Sequence, residues 1–99
     1  MIRHTVTFRL RHSPGSELEA SFLKAALDLA TIPTVRNFER LRQVSRKNTY
    51  GFGFSMEFAS QEDYEAYNIH AIHLRFVEER WKPEVADFLE IDYVPFVAG

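Results

Sequence analysis

The chain has 99 residues and a formal net charge of −2, from twelve basic and fourteen acidic side chains. It has no cysteine, which excludes disulfides, thiolate metal sites and cysteine nucleophiles. An apolar fraction of 45% excludes disorder for the bulk of the chain, no apolar run nears the ~18 residues of a membrane helix, and the charge balance gives nucleic acid no foothold.

A chain this long is read as one domain, residues 1–99, built on one core. The opening Met1-Ile2-Arg3-His4 lacks the long apolar stretch of a signal peptide, so a cytoplasmic location and no membrane contact are expected. Residues 2–11 alternate, with Ile2, His4, Val6, Phe8 and Leu10 on one side and Arg3, Thr5, Thr7, Arg9 and Arg11 on the other. Period two predicts a strand, broken at Ser13-Pro14-Gly15. Ser16 and Glu19 form a capping box for a helix over 16–30, whose apolar stripe is Leu18, Phe22, Ala25, Ala26 and Leu29. Ile32-Pro33 ends that helix. Residues 35–45 alternate imperfectly, which predicts a bulged strand at an edge.

Residues 50–58 alternate again, with Tyr50, Phe52, Phe54, Met56 and Phe58 on one face and Gly51, Gly53, Ser55 and Glu57 on the other. The bare glycine face allows close approach to the backbone. Ser60 caps a short helix through about Tyr67, a second helical stretch runs from about Ile72 to Arg80, and residues 86–94 form the last strand. The order β-α-β-β-α-β is the ferredoxin-like plan, an α+β antiparallel sheet with helices on one face. The other face carries Thr5, Thr7, Gly51, Gly53, Ser55 and a partly apolar side of the last strand. A second copy is the economical cover, so a homodimer through this open face is expected.

Three histidines look placed. His4 lies on the apolar face of the first strand, where a partly desolvated imidazole is either a base or a core histidine held by one hydrogen bond. Tyr67, His70 and His73 recur every three residues, and on a continuous helix they share a face. A phenol and an imidazole facing an apolar pocket make an acid/base pair. The competing reading has His70 capping a helix and Tyr67 packing as an aromatic with a wet hydroxyl. The spacing of three, with no intervening glutamate, is not that of a metalloprotease helix, so no metal is expected. His12 is read as exposed at a strand end, and Trp81 as a lid on the core. Arg9, Arg11, Arg36, Arg40, Arg42 and Arg46 would form a basic patch only if the first two strands paired; a solvated edge fits the acidic net charge better. Gly51-Phe52-Gly53 lies inside a strand and is no phosphate loop, there is no Ser-His-Asp signature, and no cofactor is expected.

Three segments carry a resemblance over nearly the whole chain: Ile2-Arg3-His4-Thr5-Val6-Thr7-Phe8, Met56-Glu57-Phe58 leading to Tyr67-x-x-His70-x-x-His73, and Ile91-Asp92-Tyr93-Val94-Pro95. Together they resemble the stress-responsive dimeric α/β-barrel (Dabb) family. Ala71 departs from the proline that often follows the first histidine of the pair in that family. The resemblance implies a barrel-like dimer with a cavity between each sheet and its helices. Among catalytic members it resembles plant olivetolic acid cyclase, a cofactor-free enzyme of aldol condensation. It then implies catalytic roles for His73, Tyr67 and His4 in a pocket lined by His70, Phe8, Phe54, Phe76 and Trp81, with a small hydrophobic molecule as the partner. Three functions remain open at this point: a cofactor-free lyase, cyclase or isomerase; a non-catalytic stress-associated binding or structural dimer; and a cofactor-free monooxygenase.

Overall fold

The computed structural model describes residues 1–97. Four strands, β1 (Ile2–Leu10), β2 (Arg36–Arg42), β3 (Phe52–Phe58) and β4 (Val85–Tyr93), form one antiparallel sheet in the order β2-β3-β1-β4. The helices are α1 (Glu17–Ala25), α2 (Gln61–Ile69), α3 (Ala71–Phe76) and the short α4 (Lys82–Glu84). They cover one face, as the ferredoxin-like plan requires. β1 and β2 are separated by β3, so the arginines of the first two strands do not form one patch. Arg40 instead donates to the Leu23 carbonyl at 3.0 Å, and Arg42 lies over the Phe52 ring.

Strand alternation sorts the side chains. Val6, Phe8 and Leu10 from β1 and Phe52, Phe54, Met56 and Phe58 from β3 are buried under the helices, with Phe22, Leu29 and Phe76 packed onto them. The aromatic centre is dense: Phe8 meets Phe54 at 4.7 Å, Trp81 at 5.1 Å and Phe22 at 5.7 Å between ring centroids. Such pairs add roughly 0.5–1.5 kcal/mol each beyond their burial. Gly53 is needed where it stands, because a Cβ there would sit 3.3 Å from the Val6 carbonyl of the neighbouring strand. β2 is an edge strand whose register slips between Arg36 and Glu39, and Asn37 takes a positive φ of 52° at that bulge.

Two helical expectations need correction. The helix predicted over 16–30 is α-helical only to Ala25 and tightens into a 3-10 segment, Ala26–Thr31. Tyr67, His70 and His73 share no helix face: between the expected helices to Tyr67 and from Ile72 the chain breaks at His70, which has extended backbone at φ −65° and ψ 139°. Its ring accepts the Ile72 N–H at 3.1 Å and so starts a new helix. The stretch predicted over 72–80 is α-helical only to Phe76, after which Val77–Trp81 widens into a π-turn running into α4. That turn swings Trp81 and Lys82 toward the sheet. His12 is not exposed as expected: its side chain is 16% accessible and hydrogen-bonds Glu84 at 2.7 Å.

The far face of the sheet has no helical cover. Register places Tyr93, Ile91 and Leu89 there, opposite Arg3, Thr5 and Thr7. These three large apolar side chains are 40–53% accessible. Among the described residues no helix is long and apolar enough to cross a membrane.

Candidate active site

A cavity of about 490 Å³ opens between the sheet and the α2–α3 layer. Its walls are mainly apolar: Val6, Leu29, Phe54, Met56, Phe76, Val77, Trp81 and Phe88. Its polar groups are His4, Tyr67, Asn68, His73, Glu90 and, at the rim, Lys82. Phe54, Phe76 and Trp81 therefore line it as expected, while two expected lining residues do not. Phe8 is sealed in the core at 0% accessibility, under the Phe54 and Trp81 rings. His70 is spent on capping α3.

The Tyr67 and His73 rings pack at 4.3 Å between centroids, although they lie on different helices. The α2–α3 break makes this contact, because it folds α3 back over the end of α2. His73 Nδ1 faces the Asn68 carbonyl at 3.0 Å. A carbonyl only accepts, so Nδ1 carries the proton and Nε2 keeps its lone pair. Burial lowers the His73 pKa from its ordinary 6.5 and nearby His4 lowers it further, outweighing the Asn68 carbonyl and Glu90. His73 is thus a neutral imidazole at pH 7. Tyr67 is 3% accessible, and its hydroxyl has no hydrogen-bond partner among the described residues. Burial, then the charge of Glu90, raise its pKa well above the ordinary 10.0, so it stays a protonated donor.

The His4 ring lies 6.1 Å from that of Tyr67 between centroids. Its Nδ1 is 2.6 Å from Asp92 Oδ1, on the directly paired position of β4. Tyr64 donates to Asp92 Oδ2 at 2.8 Å, and its oxygen lies 2.9 Å from His4 Nδ1. Asp92 receives both protons, which places the His4 proton on Nδ1 and leaves Nε2 as the acceptor. Burial and the Asp92 hydrogen bond push the Tyr64 phenol far above its ordinary range, keeping it a donor. Glu90 adds a second carboxylate 3.7 Å from His4 Nδ1. His4, Glu90 and Asp92 bring one ligand atom each within 4.8 Å of one another, a donor set able to hold a divalent ion in place of the bridging proton.

Sequence reasoning missed Tyr64, Glu90 and Asp92 as site residues. Period two along β4 puts Phe88, Glu90 and Asp92 on one face, which was the available signal. The pairing of Asp92 with His4 has no local sequence signal.

The stress responsive A/B barrel domain model matches residues 2–95. A Dabb-family protein of ferredoxin-like fold from Mesorhizobium loti is 55% identical, with a TM-score of 0.94 and 97% of each chain covered. A dimeric ferredoxin-like protein from Thermobifida fusca is 21% identical, covering 95% of this chain and 90% of its own, with a TM-score of 0.79. The hydroxynitrile lyase of Passiflora edulis is 15% identical, covering 99% of this chain and 95% of its own, with a TM-score of 0.84. These last two likenesses concern the fold. No curated protein is detectably similar.

Proposed function

The chain belongs to the stress responsive A/B barrel domain family, and from that premise we propose a cofactor-independent lyase, cyclase or isomerase acting on a small hydrophobic carbonyl compound. The observation that carries this reading is the packed Tyr67–His73 pair, which offers a neutral base and an unpartnered phenol side by side in a mainly apolar, partly open cavity. His73 Nε2 removes a proton from the carbon next to the carbonyl, and Tyr67 donates to the oxygen as enolate charge develops. In the addition direction the enolate carbon attacks an electrophilic carbonyl carbon and the proton held on Nε2 passes to the alkoxide oxygen so formed; in the lyase direction Nε2 takes the hydroxyl proton, the oxygen forms the carbonyl as the C–C bond breaks, and that proton passes to the departing carbanion. His4, oriented through Nδ1 by Asp92 and Tyr64, provides a second acid/base group in the same cavity. A lyase exists on this fold, which supports the reading in kind.

In this proposal the enzyme is a homodimer closed through the open sheet face at Leu89, Ile91 and Tyr93. Two solved proteins of the fold, from Thermobifida fusca and Jannaschia, are described as dimeric. A screen of aryl and alkyl ketones, aldehydes and cyanohydrins tests the activity. His73→Ala should lose at least a hundredfold in turnover while remaining a folded dimer. Turnover with that side chain absent would refute the assignment. The wild-type rate should be level near neutrality and fall at acid pH, with its midpoint below the ordinary histidine value of 6.5, because protonation removes the base.

A further inference from the structure

We propose that Glu90 makes the cavity a charge filter, so that its ligand is an uncharged aromatic or alicyclic carbonyl compound and carboxylates are turned away. This rests on the reading of the cavity as a substrate site and narrows its substrate class.

Glu90 is not fully neutralised by any cation among the described residues. Its carboxylate lines the cavity, and among the described residues its nearest cationic candidate is His4 Nδ1 at 3.7 Å. His4 is already matched by Asp92 at 2.6 Å. If His4 is protonated, the group of His4, Asp92 and Glu90 carries one net negative charge; if it is neutral, the group carries two. Either state leaves that end of the cavity negative. His73 adds no positive charge as a neutral ring. Lys82 at the rim has its ammonium turned to Glu78, which it grips one helical turn away.

The neutral contacts define the other half of the ligand. The Tyr67 hydroxyl has no hydrogen-bond partner among the described residues and opens on the cavity, where it can donate to a carbonyl oxygen. The Phe54, Phe76, Trp81 and Phe88 rings supply an apolar bed for a flat or bulky body. A carboxylate would satisfy Tyr67 equally well, so only the charge near His4 separates it from a neutral carbonyl. At roughly 5 Å and an effective dielectric constant near 20, reduced further because Glu90 is half-exposed, the repulsion amounts to about a tenfold difference in Kd.

Three nearly isosteric probes isolate this effect: benzoate, benzamide and benzamidinium. Trp81 is the one tryptophan of the chain and lines the cavity, so its indole N–H gives a single NMR cross-peak that reports occupancy. Benzamide should bind about tenfold tighter than benzoate, and benzamidinium at least as tightly as benzamide. Glu90→Gln should shrink the benzamide-to-benzoate ratio to about threefold or less, with the benzamide Kd changing less than twofold. Equal binding of benzoate and benzamide to the wild-type protein, or an unchanged ratio in Glu90→Gln, would overturn the filter while leaving the cavity a ligand site. If none of the probes moved the Trp81 peak, the substrate-site reading itself would fall and the filter with it.

Discussion

Asp92→Asn tests the polar cluster most sharply, because it keeps the shape of the side chain and changes only what that side chain can accept. Asp92 takes one proton from His4 Nδ1 at 2.6 Å and one from Tyr64 at 2.8 Å. Asparagine has one carbonyl oxygen and one NH₂, so a donor must face either the imidazole N–H or the phenol. One of the two hydrogen bonds is lost, and the other changes from charge-assisted to neutral. A hydrogen bond to a charged group is worth about 1.5–3 kcal/mol, and the 40% accessibility of Asp92 places the loss near the lower end, about 1–2 kcal/mol. For a domain of this size that is a fall in Tm of roughly 5–12 °C at fixed protein concentration. The cheaper response is for His4 to move its proton to Nε2 and accept from the new amide. Thermal unfolding followed by circular dichroism gives the first readout, and long-range ¹⁵N–¹H correlation of the His4 ring gives the tautomer. Tyr64→Phe removes only the second bond, and combined with Asp92→Asn it should fall well short of additive. An unchanged Tm together with a retained Nδ1–H tautomer in Asp92→Asn would refute the account of the cluster.

Three further outcomes follow from other parts of the molecule. Ile91→Lys puts a charge at the centre of the uncovered sheet face, and light scattering should show it as an 11.6 kDa monomer where the wild-type protein has twice that mass; a monomeric wild type would remove the dimer. Burial opposes the charge of Glu84, but hydrogen bonds from Arg80 at 2.5 Å and His12 at 2.7 Å outweigh it and hold its pKa below the ordinary 4.5. With the folded value depressed, that stabilisation is complete above pH 4.5 and is lost as pH falls through the folded value. Chemical denaturation should show the acid-side loss in wild type and a flatter profile in Glu84→Gln. His70→Ala removes the α3 cap and should cost about 0.5–2 kcal/mol in the same assay. It should leave benzamide binding at the Trp81 peak within twofold, and a large loss of binding would return His70 to the cavity wall.

How much of this was legible in the sequence depends on the range over which each feature is determined. Alternation in 2–11 and 50–58 put His4, Val6, Phe8, Phe54 and Met56 under the helices, because side-chain direction in a strand is fixed by the neighbouring residue alone. The same locality exposed the α1 cap at Ser16, whose hydroxyl accepts the Glu19 N–H, and the bulge in β2. Spacing arguments failed where geometry departs from an ideal helix. Of the two readings of His70, the helix cap is the one the structure takes: its ring accepts the Ile72 N–H and so ends one helix and starts the next. The break improved the site, since it brought Tyr67 and His73 into ring contact. The π-turn at Val77–Trp81, which gives the cavity its Trp81 wall, likewise has no local marker.

The decisive step was the least local of all. Each strand declares which side chains face the helices, but only the pairing of β1 with β4 sets Asp92 against His4 across 88 positions of sequence. A slip of one residue in β4 would send Asp92 and Glu90 to the open face and bring Ile91 and Tyr93 under the helices. The cavity would then become wholly apolar at that end, and the His4 Nδ1–H would lose its acceptor. The register is held against that slip by ring packing, since the half-exposed Phe88 meets Trp81 edge-on at 5.5 Å on the same side as Asp92. It is held again by Thr5, whose hydroxyl donates to the Ile91 carbonyl at 2.6 Å. The irregularity between Arg9 and Leu10 lies at the far end of β1, so the rungs that carry Asp92 and Glu90 remain regular. The same apolar contacts that stabilise the sheet therefore set the charge inside the cavity. A substitution that loosens the Phe88–Trp81 contact should disturb the His4 tautomer before it unfolds the protein.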